Sequence, residues 1–348
     1  MGKKVDRRRF LGGSVVAGVA AAGLCGLEEK ILQQALAQGA AGKPAGRKGA
    51  AGGEMPTGKL GNLTLSRLIS GGNLLSGWCH SRDLIYVSKL AAAYLTEEKQ
   101  FDTLEILEEK GVNAIAVDQM QVHIVNRYCE ERGGKIRKIV SVRQDWGGWG
   151  KPNWEELKEE IDGVIDDGAD TLYVHGGYSD RLVQADKPAN LEIIGKAFEY
   201  IRGQKLSAGL GSHALEAPVA FDKAGIAPDY YVKTFHHDQY WSATPKDRRK
   251  RFCVDGENHL DHNEFHDNIY CIDPDETIEF MKTKEQPWVA FKVLAAGAIE
   301  PESGFRYAFE GGADFLMVGM FDFQVVEDVV TVKRVLAESL DRKRPWRS

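Results

Sequence analysis

The chain has 348 residues, of which 43% are hydrophobic, and carries 45 Lys and Arg against 51 Asp and Glu, a formal net charge of −6. That length is enough for one large core or two small ones. The acidic balance, reached despite a basic start, argues against a nucleic-acid partner.

Residues 1–37 read as a leader, not as fold. Arg7 to Arg9 precede Phe10 and Leu11, a weakly apolar run rich in Gly and Ala follows, and Ala35-Leu36-Ala37 forms a small-x-small site. A basic start, a short apolar stretch and such a site are the parts of a secretory signal, too short and Gly-rich to span a membrane. The Arg-Arg-x-Phe-Leu order resembles the twin-arginine export signal. It implies passage through the twin-arginine translocase and a periplasmic or extracellular location, with no membrane span in the mature form. Residues 38–58 are rich in Gly, Ala and Lys without apolar period, a flexible tether. The folded unit is expected over 59–342. Cys79, Cys129, Cys253 and Cys271 remain after such cleavage. In an oxidising compartment Cys253 and Cys271 could staple the segment between them, a bond that spacing alone does not establish.

From residue 66 onward, eight short apolar runs alternate with amphipathic stretches. The runs cover 66–73, 113–118, 138–145, 170–177, 206–214, 230–238, 288–297 and 315–322. They are rich in Val, Ile, Leu and Ala with little polar alternation, as parallel strands covered on both faces should be. Between them, stretches such as 97–111 and 153–169 have helical spacing. In the second, Leu157, Ile161, Val164 and Ile165 share a face. Eight strand–helix units predict an α/β fold, a (β/α)₈ TIM barrel.

A barrel locates chemistry at the C-terminal ends of its strands. Those ends read Asn73, Asp118, Arg143 with Asp145, His175, His213, His236 with His237, Lys292 and Asp322. Of the nine histidines, His80, His175, His213, His236, His237, His259, His262 and His266 lie at strand ends or in the loops after them, and only His123 lies elsewhere. The stretch Asn258 to Asn268 holds three of these histidines within the long connection after the sixth run. Such a connection is expected to fold over the mouth, with His259 or His266 reaching the site. The basic run Lys246 to Arg251 beside it reads either as an anion-recognising patch or as a solvated face.

Imidazoles and carboxylates suit Zn, Mn, Fe or Co. One reading is therefore a divalent transition-metal site drawn from His175, His213, His236, His237 and His259, with Asp118 completing the set or acting as base. Lys292 and Arg143 would assist proton transfer in a lyase or isomerase. Trp78, Trp146, Trp149, Tyr178, Tyr240 and Trp241 fall in loops after strands, where flat rings would pack on the C–H faces of a sugar-like small-molecule substrate. His266 would add a polar contact.

The order of segments resembles the aldo-keto reductase superfamily over most of 58–335. The likeness is carried by KLGNLTLSRLISGGN, GVNAIAVD, DTLYVHG, AGLGSHALE, AFKVLAAGAI and the unit starting at GFRYAFEGGADF. The resemblance implies Asp118 and His175 as catalytic residues, Ser212 in a conserved place, His213 where that family has asparagine, and NAD(P) as cofactor. Two departures stand out. His123 occupies the place of the family's proton-donating tyrosine, and Arg143 or Gln144 that of its lysine. The eighth unit also lacks the cationic cluster that would hold a 2′-phosphate. The alternative to the metal-assisted enzyme is thus an NAD(P)-dependent oxidoreductase with His123 or His175 as its acid. A third reading is a secreted binding protein without catalysis.

Overall fold

A computed structural model describes residues 54–77, 85–144, 152–185, 187–250 and 270–348. The leader, Trp78, His80, Asp145, Trp146, Trp149, Cys253, His259, His262 and His266 lie outside the described residues.

The described chain opens with an antiparallel hairpin, β1 (Thr57–Leu60) and β2 (Leu63–Ser66), whose turn passes through Gly61 in the left-handed region. Eight strands follow: β3 (Leu68–Gly71), β4 (Ala114–Asp118), β5 (Arg137–Val142), β6 (Thr171–Val174), β7 (Ala208–Ser212), β8 (Tyr230–Thr234), β9 (Trp288–Phe291) and β10 (Phe315–Val318). Each pairs in parallel with the next and β10 closes on β3, so the sheet is a closed barrel with no free edge. The expected (β/α)₈ barrel is present.

Strand alternation explains why the apolar runs were so continuous. Ile69, Ala114, Ala116, Ile139, Tyr230, Val232, Val289, Phe315 and Met317 form an inner cluster, sealed from below by Leu60 and Leu65 of the hairpin. Their neighbours Leu68, Ile115, Val140, Leu172, Leu210, Ala290 and Leu316 join the outer cluster beneath the helices. Both faces are buried, so both parities are apolar.

The parity rule also aims the functional side chains. Counting in twos from the inner cluster, Asp118 follows Ala116 and Arg143 follows Ile139 and Ser141. His175 follows Thr171 and Tyr173, and His213 continues Gly209 and Gly211. All four therefore point toward the barrel axis, at the strands' C-terminal ends.

The two β7 glycines make room for their neighbours. A Cβ on Gly209 would lie 2.5 Å from the Tyr230 ring, and one on Gly211 would run into the Val174 carbonyl oxygen and the Gly176 amide. Gly211→Ala should cost about 1–3 kcal/mol, because backbone rather than a flexible side chain must yield. Urea unfolding would check it, and an unchanged midpoint would mean the barrel widens there freely.

The fold continues past 342, where the sequence suggested a stop. Arg344 is fully buried and pairs with the equally buried Asp314, Nη1 to Oδ2 at 2.7 Å. The guanidinium groups of Arg67 and Arg342 both lie over the Trp346 ring, 4.1 and 3.4 Å from its centre. The basic run after 342 is thus held by one buried carboxylate.

Candidate active site

The site is built from the ends of β4, β5, β6 and β7 and the turn after β9. Asp118 caps the short turn Gln119–Gln121. Its carboxylate accepts from Met120 N at 3.2 Å, and the Gln121 side chain accepts from Asp118 N at 2.9 Å. From β5, the buried Arg143 places Nη2 3.4 Å from Asp118 and donates Nη1 to Gln119 Oε1 at 2.6 Å. The choice left open between Arg143 and Gln144 resolves by parity. Gln144 faces outward, where its Oε1 accepts from Tyr178 Oη at 2.8 Å and Asn153 N at 2.7 Å. Tyr178 is correspondingly buried and is no mouth aromatic.

His213 is the best-oriented group. Asp180, on the helix Gly176–Gln184, accepts from the His213 amide at 2.9 Å and from the Ala214 amide at 3.2 Å. Its Oδ2 also lies 3.0 Å from His213 Nδ1. The buried carboxylate makes Nδ1 the protonated nitrogen, which leaves Nε2 as the acceptor in the neutral ring. The edge of the ring meets Phe291 at 5.2 Å between centroids. His175 stands one strand away. Burial pulls its imidazole down to about 3, and the positive charges of His213, Arg143 and Lys292 act in the same direction, so it is neutral near pH 7.

Lys292 follows β9 with φ 56°, and Ala295 and Ala296 are also left-handed. Non-glycine residues pay for that conformation, and such strain clusters at functional sites. The Lys292 ammonium lies 4.1 Å from the Tyr270 ring centre. Asp322, the last strand-end carboxylate, is tied to Lys99 at 2.9 Å and Tyr94 at 2.7 Å, away from this group.

Two expected metal ligands are committed elsewhere. His236 donates Nδ1 to the His237 carbonyl at 2.7 Å, and its Nε2 accepts from the amides of Tyr270 and Cys271 at 3.1 and 3.0 Å. Both nitrogens are used, so His236 braces the chain where it re-enters at 270 and is not a ligand. His237 leans outward: its Nδ1 accepts from Gln239 N at 3.2 Å, and Nε2 meets Ser303 Oγ at 3.1 Å. Among the described residues, no three His, Cys, Asp or Glu side chains gather as a metal-holding group. Tyr240 packs edge-on against His236 and tilted against His237, while Trp241 is 90% exposed.

The role of His236 carries a pH signature. Burial lowers its imidazole to about 4 from an ordinary 6.5. Between those values the unfolded chain binds a proton that the folded chain does not, so stability is full above pH 6.5 and falls toward pH 4. The loss should reach up to about 3 kcal/mol. Comparing urea midpoints at pH 7 and 4.5 tests this. His236→Gln, which keeps an acceptor but does not titrate, should flatten the slope; an equally steep slope in the variant would exclude His236 as its source.

No family model matches the sequence, and no curated protein matches it. Solved structures do. A Pseudomonas aeruginosa protein described as an aldo-keto reductase superposes with a TM-score of 0.53 at 12% identity, covering 82% of this chain and 98% of that one. An aldo-keto reductase from Bacillus halodurans in its apo form gives 0.50 at 13% identity, over 80% and 90%. The fold is that of the aldo-keto reductases. Within that barrel, Asp118 and His175 stand at the ends of the second and fourth barrel strands, where the resemblance put them. His123, in the tyrosine's place, is exposed on the first turn of the helix Val122–Arg132.

Two groups escaped the sequence reading. Asp180 lies five residues beyond His175, inside a helix, and only the fold brings it behind His213. Lys233 is hidden in the apolar β8. It is fully buried and donates Nζ to His213 O at 2.7 Å, Thr234 O at 2.9 Å and Thr234 Oγ1 at 2.8 Å.

Proposed function

We propose that this barrel is an enzyme that moves a proton on and off a hydroxyl or carbonyl oxygen of a small polyhydroxylated substrate, with His213 as the acid–base group. The observation that carries the reading is the Asp180–His213 pair. A buried carboxylate fixes one ring nitrogen, so the other faces the reaction in a single tautomer. Arg143, bound to Asp118, supplies positive charge where oxygen becomes anionic, and His175 is held neutral beside it.

Two reactions use such a proton. Aldo-keto reductase chemistry is the one the shared barrel favours, with nicotinamide supplying hydride when bound. A metal-assisted lyase or isomerase is less supported, since His236 and His237 are taken. The pyrophosphate of a nicotinamide cofactor needs a cationic or amide-rich cradle, and barrels commonly offer one after their last two strands. Here the helix Pro301–Gly311 begins with Glu300 and Glu302, and the helix Asp322–Ala337 begins with Asp322. These residues do not fit a pyrophosphate. Export through the twin-arginine translocase to the periplasm or beyond belongs to the same proposal.

The test is to incubate the protein with polyols, keto-sugars and sugar acids in D₂O, with and without NADH or NADPH. Deuterium incorporation at carbon without nucleotide indicates isomerase- or lyase-type transfer; nucleotide-dependent turnover indicates the oxidoreductase. Neither signal from any substrate class would remove the acid–base reading.

A further inference from the structure

We propose that the outer faces of the helices Ile85–Tyr94 and Asp322–Ala337 form one apolar surface on which a second copy of this chain docks. The surface lies on the outside of the barrel, and its test needs no substrate.

A helix packed around a barrel should be apolar toward the strands and polar toward water. The helix Trp154–Asp166 follows that rule: Leu157, Ile161 and Val164 are buried, while Glu155, Glu156, Glu159 and Asp166 are exposed. The helix Asp322–Ala337 breaks it. Val325, Val329, Val332 and Val335 are buried, yet Phe323, Val326 and Val330, three and four residues apart, form a second apolar stripe that is 37–68% exposed. The helix Ile85–Tyr94 carries one charge, Lys89. Its Tyr86, Leu90 and Tyr94 follow at four-residue spacing and are 39–63% exposed.

Tyr94 joins the two stripes. Its ring meets Phe321 edge-on at 6.0 Å and Phe323 at 6.1 Å, and those two rings stack on each other at 5.3 Å. Its hydroxyl donates to Asp322 Oδ1 at 2.7 Å, and Lys99 Nζ holds the same carboxylate at 2.9 Å. The centre of the surface is thus fixed before a partner arrives, which lowers the ordering cost of docking.

Six large apolar side chains at these exposures present on the order of 500–600 Å² to water, judged from the size of such groups. That is near the upper limit for an apolar patch on a monomer. It is also near the roughly 600 Å² that each copy gives to the smaller specific interfaces. The surrounding charges favour a copy of the same chain over a lipid surface. Among the described residues, exposed Lys89 and Arg334 stand with exposed Glu97, Glu98 and Glu327; Arg334 already pairs with Glu302, and Glu97 with Arg127. An anionic membrane selects a cationic rim, which this is not. A rim of both signs lets identical faces meet about a two-fold axis without net repulsion, as an isologous dimer requires.

The experiment is sedimentation equilibrium of the full chain at pH 7, from about 1 to about 100 μM, the range suited to an interface of this area. A reversible monomer–dimer equilibrium is expected, and about 0.5 M NaCl should not weaken it, because apolar burial is not screened. Leu90→Ser and Phe323→Ser should each raise the dimer Kd about tenfold or more. Both replace exposed side chains, so the melting curves of the dilute proteins should not move. If one of them does melt early, the other and Val326→Ser decide. Trp241→Ser, at an exposed aromatic on a different segment, should leave the Kd within about twofold. A monomer at every concentration, a dimer that salt dissociates, a dimer that survives the serine variants, equal weakening by Trp241→Ser, or a monomer that floats with vesicles of phosphatidylcholine and phosphatidylglycerol overturns the proposal.

Discussion

Replacing His213 by asparagine should lower kcat/KM by about 10²–10⁴-fold, the usual contribution of a positioned acid–base group, for whichever substrate the screen finds active. The fold should survive. The asparagine amide can still donate toward Asp180, and the bonds from the residue 213 and Ala214 amides to that carboxylate are made by backbone. The His213 side chain is only 11% exposed, so the cavity left by the smaller residue is partly filled by the Phe291 edge. Asp180→Asn tests the orientation separately. Its side-chain amide must turn an N–H toward one of three donors, which opposes the present tautomer of His213. The loss should fall on kcat more than on KM, with the pH profile displaced. Retention of activity within about threefold in His213→Asn, with an unchanged melting curve, would assign the chemistry to another group.

Much of this was legible because barrel strands obey simple rules. The eight apolar runs located all eight strands, and parity alone sets Asp118, Arg143, His175 and His213 on the inner face. The runs overshot where local backbone broke the strand. The seventh was read to 297, but β9 ends at Phe291, since Lys292 turns left-handed. What parity does not tell is which partner a strand-end group finds. His236 has inward parity too, yet both its nitrogens meet backbone from residues 237, 270 and 271. That competition is settled by tertiary packing. Lys233 was illegible for a related reason. A single lysine among Tyr, Val and Thr reads as a tolerated outward charge until the fold shows three oxygens closed around it. The site residues that sequence did find are those whose direction follows from strand period; the missed ones act through contacts between distant segments.

Arg344→Ala should destabilise the protein by about 3–5 kcal/mol, the cost of breaking a buried pair from one side. The guanidinium is fully buried, pairs with Asp314 at 2.7 Å, and donates to the carbonyls of Gly312, Lys284 and Gln286. Its removal takes the side-chain donor from the Lys284 and Gln286 carbonyls and the counter-charge from the buried carboxylate, while Gly312 O keeps Arg342 Nη2 at 3.2 Å. Asp314 is not interchangeable with an apolar residue either, because it accepts from Trp288 N at 2.9 Å and Arg347 N at 2.8 Å, tying the start of β9 to the tail. The two substitutions should therefore be less than additive: Asp314→Ala/Arg344→Ala removes both charges together and should recover part of the combined loss, though not the amide partners. Arg344→Met, which refills the volume without charge, should be nearly as damaging as alanine if the carboxylate's isolation dominates, and clearly milder if the cavity does. Urea unfolding of the four proteins separates these cases. A loss below about 1 kcal/mol for Arg344→Ala would mean that Arg67 and Arg342 take over the carboxylate, making the plug under the barrel a shared arginine cluster instead of a single buried pair.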